Sequence, residues 1–133
     1  MISEHISFDE ATISPTSLRF GIKNTPNEEQ LANMKLVAEK CFEPLRKLYG
    51  KPIKVNSFFR CEELNKKVGG SATSQHSKGQ AIDMSGGSKE ENKKIFELAK
   101  TLDFDQLINE YDFSWIHISY KKEGNRKQIL KIG

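Results

Sequence analysis

The chain lacks the features that mark membrane, disulfide-rich and nucleic-acid-binding proteins. It contains no run of about eighteen apolar residues, which excludes a transmembrane helix. Its two cysteines, Cys41 and Cys61, form no C-x-x-C pair, so we expect reduced thiols rather than a cysteine zinc site. The net charge is only +3, and no basic patch is interleaved with aromatic residues as in a nucleic-acid interface. The first residues lack the basic and apolar regions of a secretory signal, which predicts a protein that is cytoplasmic as synthesised.

What is present is typical of one globular domain. The 133 residues are 36% hydrophobic and 29% charged, which is too apolar for disorder and long enough for one modest core. No internal repeat or linker divides the chain, so we predict a single domain over residues 1–133, monomeric and without a membrane or nucleic-acid partner. Helices come first and short strands follow, which predicts an α+β fold with a small, mostly antiparallel sheet packed against helices.

The longest predicted helix runs from Pro26 to Tyr49. Thr25 and Glu28 resemble a capping box at its start, and Pro44 should kink it because proline has no N–H to donate. The other predicted elements are a capping box at 7–10, helices at 60–68 and 88–102, the second with a Ser88–Glu91 capping box, and strands at 53–58, 80–85, 105–110, 115–120 and 127–132.

Two of the three histidines lie where metal ligands are expected. His76 is in a glycine-containing loop, and Asp83 follows it on a predicted strand, on the face opposite Ile82. A carboxylate there needs a partner because burying it unpaired costs several kcal/mol. His117 projects from a later strand, on the same face as Trp115. Two imidazoles and one carboxylate match an open zinc site, although a strand histidine is more often simply hydrogen-bonded.

A resemblance to a known family favours the metal site. Ser57-Phe58-Phe59-Arg60, the pattern Ser74-x-His76-x-x-Gly79-x-Ala81-x-Asp83 and the later Trp115-Ile116-His117 are similar to the M15 zinc peptidases. That family includes D-alanyl-D-alanine carboxypeptidases and L-alanyl-D-glutamate endopeptidases, and its fold resembles the hedgehog signalling domain. The resemblance implies Zn²⁺ bound by His76, Asp83 and His117, and a peptidoglycan peptide as substrate.

The resemblance also implies roles for Arg60 and Ser74, and strand alternation indicates one for Trp115. Arg60 matches an arginine that contacts the substrate carbonyl or carboxylate, and a guanidinium can hold an oxyanion by charge-assisted hydrogen bonds. Ser74 resembles a serine that bonds substrate or a ligand histidine, and ordinary loop chemistry explains it equally well. Trp115 either shapes the substrate pocket together with Ser119 or packs in the core.

The general base is where the sequence departs from the family pattern. A metal hydrolase needs a carboxylate near the attacking water, and Ser114 stands where many members have an acid. Glu110, at the end of the preceding strand, is our candidate, whereas Asp112 is more typical of a turn. A solvent-facing acid explains Glu110 almost as well. We therefore retain an inactive zinc-binding module, and less strongly a structural zinc domain, as alternatives to the enzyme.

The sequence leaves the cleaved bond open between carboxypeptidase and endopeptidase, because one arginine does not decide it. The expected substrate lies outside the cell, so action on the wall requires release, for example at phage lysis. Trimming of recycled wall peptides in the cytoplasm is the alternative.

Overall fold

Five short strands form one open sheet in the computed structural model, which describes residues 1–133. The strands are β1 (Lys54–Ser57), β2 (Ala81–Ser85), β3 (Gln106–Glu110), β4 (Trp115–Ser119) and β5 (Gln128–Ile132). Their order is β1-β2-β4-β3-β5, and only the edge strand β5 runs parallel to its neighbour, β3. The mixed α/β architecture with a mostly antiparallel sheet is confirmed.

Strand alternation divides the sheet into an apolar face and a polar face. In β2 and β4 the residues Ile82, Met84, Ile116 and Ile118 are all fully buried. The residues between them point to the other side, because successive side chains of a strand alternate.

The register aligns the polar residues of neighbouring strands. Asp83 of β2 lies opposite His117 of β4. In the β3–β4 pair, His117 lies opposite Ile108, and Trp115 lies opposite Glu110. Side chains directly opposite each other in an antiparallel pair share a face, so these residues project together from the polar face.

The helices cover the apolar face. They are α1 (Phe8–Thr12), α2 (Pro15–Arg19), α3 (Glu28–Val37), α4 (Glu43–Tyr49), α5 (Glu62–Lys67) and α6 (Lys89–Ala99), with a π-helical turn at Ala38–Phe42 and a 3₁₀ turn at Gln75–Lys78. The core between helices and sheet includes Met34, Val37, Phe42, Leu45, Ile82, Met84, Ile95 and Ile116. No helix of the structure has both the length and the apolar character needed to cross a membrane.

The predicted long helix begins and bends differently from expectation. Its N-cap is Asn27 rather than Thr25, because the Asn27 and Gln30 side chains each bond the other's backbone N–H. The kink predicted at Pro44 takes the form of the π-turn just before it. Proline offers no N–H to the carbonyl four residues earlier, and a π-turn accommodates such a gap in the hydrogen-bond ladder.

The observed ends of the other helices and strands differ from the predicted ends by a few residues. Ser88 caps α6 by accepting from the Glu91 N–H, but the Glu91 side chain does not complete a capping box because it bonds Tyr49 and Lys51 instead. Cys41 is fully buried, and neither cysteine is in a disulfide.

Candidate metal centre and substrate groove

A groove of about 910 Å³ crosses the polar face of the sheet. Its floor consists of outward-facing residues of β2, β3 and β4, and its walls come from the loop before β2 and from residues after β4. Seven candidate site residues of the sequence line it: Arg60, Ser74, His76, Asp83, Glu110, Trp115 and His117. The fold thus brings residues from five separate segments to one cleft.

His76, Asp83 and His117 converge at the centre of this groove. The Nε2 atom of His76 lies 3.2 Å from one Asp83 oxygen, and the Nδ1 atom of His117 lies 2.9 Å from the other. The two imidazole rings are 5.2 Å apart at their centroids. One potential ligand atom from each residue lies within 4.8 Å of the other two. This spacing allows all three to contact one cation.

The loop that carries His76 is fixed at several points. Ser74 caps the 3₁₀ turn, and its hydroxyl accepts from the His76 backbone N–H at 3.2 Å. The His76 ring donates from Nδ1 to the Phe58 carbonyl at 2.7 Å. Gly79 ends the turn at φ +77°, pressed against the backbone of α3. Because Nδ1 carries the proton, the lone pair of neutral His76 is on Nε2, which faces Asp83.

The chemistry of this donor set fits zinc. The burial of Asp83 disfavours its charge, but its hydrogen bond with His117 and the closeness of His76 outweigh burial and hold the pKa of its carboxyl below the usual range. The carboxylate and the His76 Nε2 lone pair therefore face each other, and a cation between them would satisfy both. Nitrogen and oxygen ligands, three in number with an open fourth position, are typical of catalytic zinc.

Glu110 lies in the same groove, at the end of β3. Burial, and then the negative charge of Asp83, raise the pKa of its carboxyl. Glu110 is therefore near enough to Asp83 for the two charges to interact. Asp112 is exposed, lies in the turn after β3 and pairs with Lys89, and Ser114 bonds the carbonyl of Tyr111. Glu110 is the acid that the fold directs toward the cluster.

Arg60 lies in the segment after β1 and lines the same groove as the cluster. Its backbone N–H donates to the His76 carbonyl at 3.2 Å, and its Nη2 atom lies 3.5 Å from the Ser74 hydroxyl. The Nε atom is buried without a partner. Arg60 lines the groove, where a guanidinium can donate charge-assisted hydrogen bonds to a substrate oxygen.

Trp115 belongs to the groove rather than to the core. It is partly exposed and packs on the exposed Tyr111 ring, with 5.0 Å between the ring centroids. Ser119, in contrast, is fully buried and accepts from the Gln106 N–H, so it does not shape the pocket.

The β3–β4 turn is strained. Tyr111, Asp112 and Phe113 all have positive φ, which is uncommon for residues with side chains. Buried Asn92 donates to the Phe113 and Ser114 carbonyls and thereby supports the turn. Strain of this kind often occurs beside functional residues.

Sequence reasoning missed three supports of the site. The first is the Phe58 carbonyl, a backbone group that no motif reveals. The second is Asn24, whose buried amide bonds the Phe59 carbonyl and the Cys61 N–H on both sides of Arg60. The third is Asp105, fully buried beneath the end of the groove. Only one feature of the sequence indicates that Asp105 is buried, namely its position next to an apolar strand.

Two histidines, an aspartate, a nearby acid and a guanidinium in one cleft are the residue types that a metal-dependent hydrolase uses. A family model described as Peptidase M15 matches residues 4–119. The chain therefore belongs to the peptidase M15 family, and the general class of its activity is that of a metallopeptidase. No curated protein matches the chain.

Proposed function

We propose that this protein is a zinc-dependent metallopeptidase that hydrolyses a peptide bond in peptidoglycan stem peptides. The observation that carries the proposal is the convergence of His76, Asp83 and His117, with ligand atoms within 4.8 Å of one another, in the groove that also holds Glu110 and Arg60. Neither a structural zinc site nor a simple binding module needs an acid directed at its metal ligands.

The proposed metal ligands are His76 Nε2, the Asp83 carboxylate and His117 Nδ1. When bound there, zinc supplies Lewis acidity, which polarises a carbonyl and makes water a nucleophile near neutral pH. The Phe58 carbonyl fixes the His76 tautomer, and Asp83 holds the two imidazoles in place. These contacts orient the ligands before a cation arrives.

Glu110 acts as the general base. Its raised pKa makes its carboxylate a stronger proton acceptor than an ordinary glutamate. It takes a proton from the attacking water as the oxygen bonds to the carbonyl carbon, and it returns that proton to the nitrogen as the C–N bond breaks. Arg60 donates to the developing oxyanion or to a substrate carboxylate.

The substrate assignment rests on the resemblance to peptidoglycan peptidases of this family. The groove volume of about 910 Å³ is near the upper end for ligand pockets, which suits an extended peptide better than a small metabolite. Because that polymer lies outside the cytoplasm, we propose that the protein acts after its release to the wall.

The test compares Glu110→Gln with a matched control, Asp112→Asn. Purified wall is digested with each protein, products are read by mass spectrometry, and bound metal is quantified. We expect about one zinc per chain in every protein, a defined new amino terminus from the wild type and from Asp112→Asn, and turnover about 10²- to 10⁴-fold lower in Glu110→Gln.

Two results would count against this proposal. Unchanged turnover in Glu110→Gln would remove that residue from the mechanism. A wild type that binds one zinc but releases no product would instead favour the inactive zinc-binding module.

A further inference from the structure

One end of the groove is basic and is formed by a segment beyond the family match. The match ends at residue 119, yet Lys121 and Arg126 line the same groove as the metal ligands. The segment is well ordered by its own contacts: the Asn125 side chain bonds both the N–H and the carbonyl of Lys121. The loop therefore has a defined shape at the rim of the groove.

Asp105 anchors this end from below. Its side chain is 0% exposed and accepts from Arg126 Nη2 at 2.7 Å and from Arg126 Nε at 3.0 Å. It also accepts from the Arg126 backbone N–H and from the side chain of Gln75, which precedes His76. Each of the two carboxylate oxygens thus receives two hydrogen bonds, and Asp105 has little further capacity to accept.

The anchored cluster retains unneutralised positive charge. Lys121 Nζ lies 3.6 Å from Asp105, beyond hydrogen-bonding distance, so its three N–H donors are free. Arg126 bonds Asp105 through Nε and Nη2 only, which leaves its Nη1 donors free. Two cations share one buried carboxylate, and the net charge of the cluster is +1.

The groove is consequently polarised along its length. Glu110 lies at one end of β3 and Gln106, beside the basic cluster, lies at the other. Four residues of strand separate them, a distance of roughly 13 Å. The metal ligands lie between the two ends, because His117 is opposite Ile108. A bound peptide would therefore meet Lys121 and Arg126 on one side of the metal centre and Glu110, with Arg60 near it, on the other.

We propose that Lys121 and Arg126 form a carboxylate-binding subsite, which selects peptides carrying an acidic group near the cleaved bond. Ser119 and Lys121 are two and four residues beyond His117, roughly 7 and 13 Å along an extended chain. The recognised carboxylate therefore lies about two to four residues from the scissile bond. This placement rests on the proposed function, since it takes the metal cluster as the cleavage point.

The buried anchor explains how the subsite gains selectivity. Asp105 holds the Arg126 guanidinium in one orientation, so less side-chain freedom is lost when a ligand binds. Lys121 adds a second cation whose N–H donors make no hydrogen bond, and charge-assisted bonds to a carboxylate are stronger than bonds to a neutral amide. An amidated peptide of the same shape would lose that advantage.

The experiment measures binding with Glu110→Gln protein, in which hydrolysis is expected to be about 10²- to 10⁴-fold slower. The probes are a stem tetrapeptide with a free D-glutamate carboxylate and the same peptide with that carboxylate converted to an amide. We expect calorimetry to show about tenfold tighter binding of the acid. Adding Lys121→Gln should lower that preference to about twofold, whereas Lys122→Gln, an exposed neighbour outside the groove, should leave it unchanged.

Lys121 makes no hydrogen bond to Asp105, so Lys121→Gln should fold normally. A paired variant, Asp105→Asn with Arg126→Gln, removes the second cation together with its anchor, and it should abolish the remaining preference. Equal binding of the two peptides, no measurable binding of either, or a preference that survives both variants would overturn the subsite. Wild-type hydrolysis is scored separately, so an inactive enzyme that still prefers the acid would refute only the proposed function.

Discussion

The Nδ1 atom of His76 donates a hydrogen bond to the Phe58 carbonyl at 2.7 Å. A carbonyl can only accept, so this bond places the proton on Nδ1 and the lone pair on Nε2. Nε2 then faces Asp83 at 3.2 Å. The backbone after β1 thus determines which nitrogen of His76 a cation would meet, and the same stretch of backbone continues into Arg60.

The first prediction concerns the metal itself. His76→Ala should reduce bound zinc from about one equivalent to near zero at micromolar metal, because it removes the most buried of the three ligands. Metal analysis after dialysis is the measurement. His5→Ala is the matched control, since His5 is an exposed histidine that pairs with Glu43. Full zinc occupancy in His76→Ala, or loss of zinc in His5→Ala, would show that the metal binds elsewhere in the protein.

A second prediction concerns the turn that positions His76. An added Cβ at Gly79 would approach the Gln30 carbonyl oxygen to 2.4 Å, and φ there is +77°. Gly79→Ala should therefore lower the free energy of unfolding by about 3 kcal/mol or more, and it should weaken zinc binding. Urea unfolding and zinc titration measure the two effects.

Gly50→Ala measures how much stability is lost through a positive φ alone, without a steric clash. Gly50 has a similar φ of +73° but has no atom within 4 Å of the added Cβ. It should cost only about 1 kcal/mol and leave zinc affinity unchanged. Equal costs at the two positions would show that the contact with Gln30 does not matter.

Strand alternation predicted the part of the site that lies on the sheet. Ile82 and Ile116 face the core, so their neighbours Asp83 and His117 project from the other face of the sheet. The strand register then places Asp83 opposite His117. Glu110 is a candidate for a different reason: it ends the strand that a short turn joins to the strand of His117, and the family resemblance points to that strand end. The position of His76 was available only through the family resemblance, because a loop has no periodicity to read.

The remaining features depend on contacts between distant segments. Asn24 looks like an ordinary polar loop residue, yet it bonds backbone groups thirty-five and thirty-seven positions away. The subsite at Lys121 and Arg126 depends on β5 pairing in parallel with β3, which no local pattern indicates. The cap of the long helix was misplaced because Thr25 and Asn27 are both good capping residues, and only the observed Gln30 bonds distinguish them.

A third prediction tests Asn24 as a positioning residue for Arg60. In Asn24→Asp a carboxylate would face the Thr12 and Phe59 carbonyls, both of which now accept hydrogen bonds from the amide. We expect a loss of about 2 to 4 kcal/mol in unfolding free energy. We also expect a lower kcat/KM for peptide hydrolysis, because the backbone on both sides of Arg60 loses its restraint.

Asn27→Asp supplies the control for Asn24→Asp. It is the same chemical change at an exposed N-cap, where aspartate caps as well as asparagine. Its stability and kcat/KM should match the wild type. If Asn24→Asp matched it too, the buried amide would have no role in holding Arg60.

The last prediction is a pH dependence of stability at Glu91, which joins α6 to the end of α4. A hydrogen bond from Lys51, followed by bonds from Tyr49 and Lys94, lowers the pKa of Glu91 to about 2. A carboxyl with a lowered pKa stabilises the fold above its unfolded pKa, about 4.3, and loses that contribution as the pH falls toward its folded pKa. The difference in unfolding free energy between wild type and Glu91→Gln should therefore be constant above about pH 6 and shrink toward pH 2. Urea unfolding across this range is the measurement, with Glu97→Gln, an exposed acid bonded only to Lys100, as a control that should follow the wild type throughout. A difference that stays constant or grows on acidification would contradict the role assigned to Glu91.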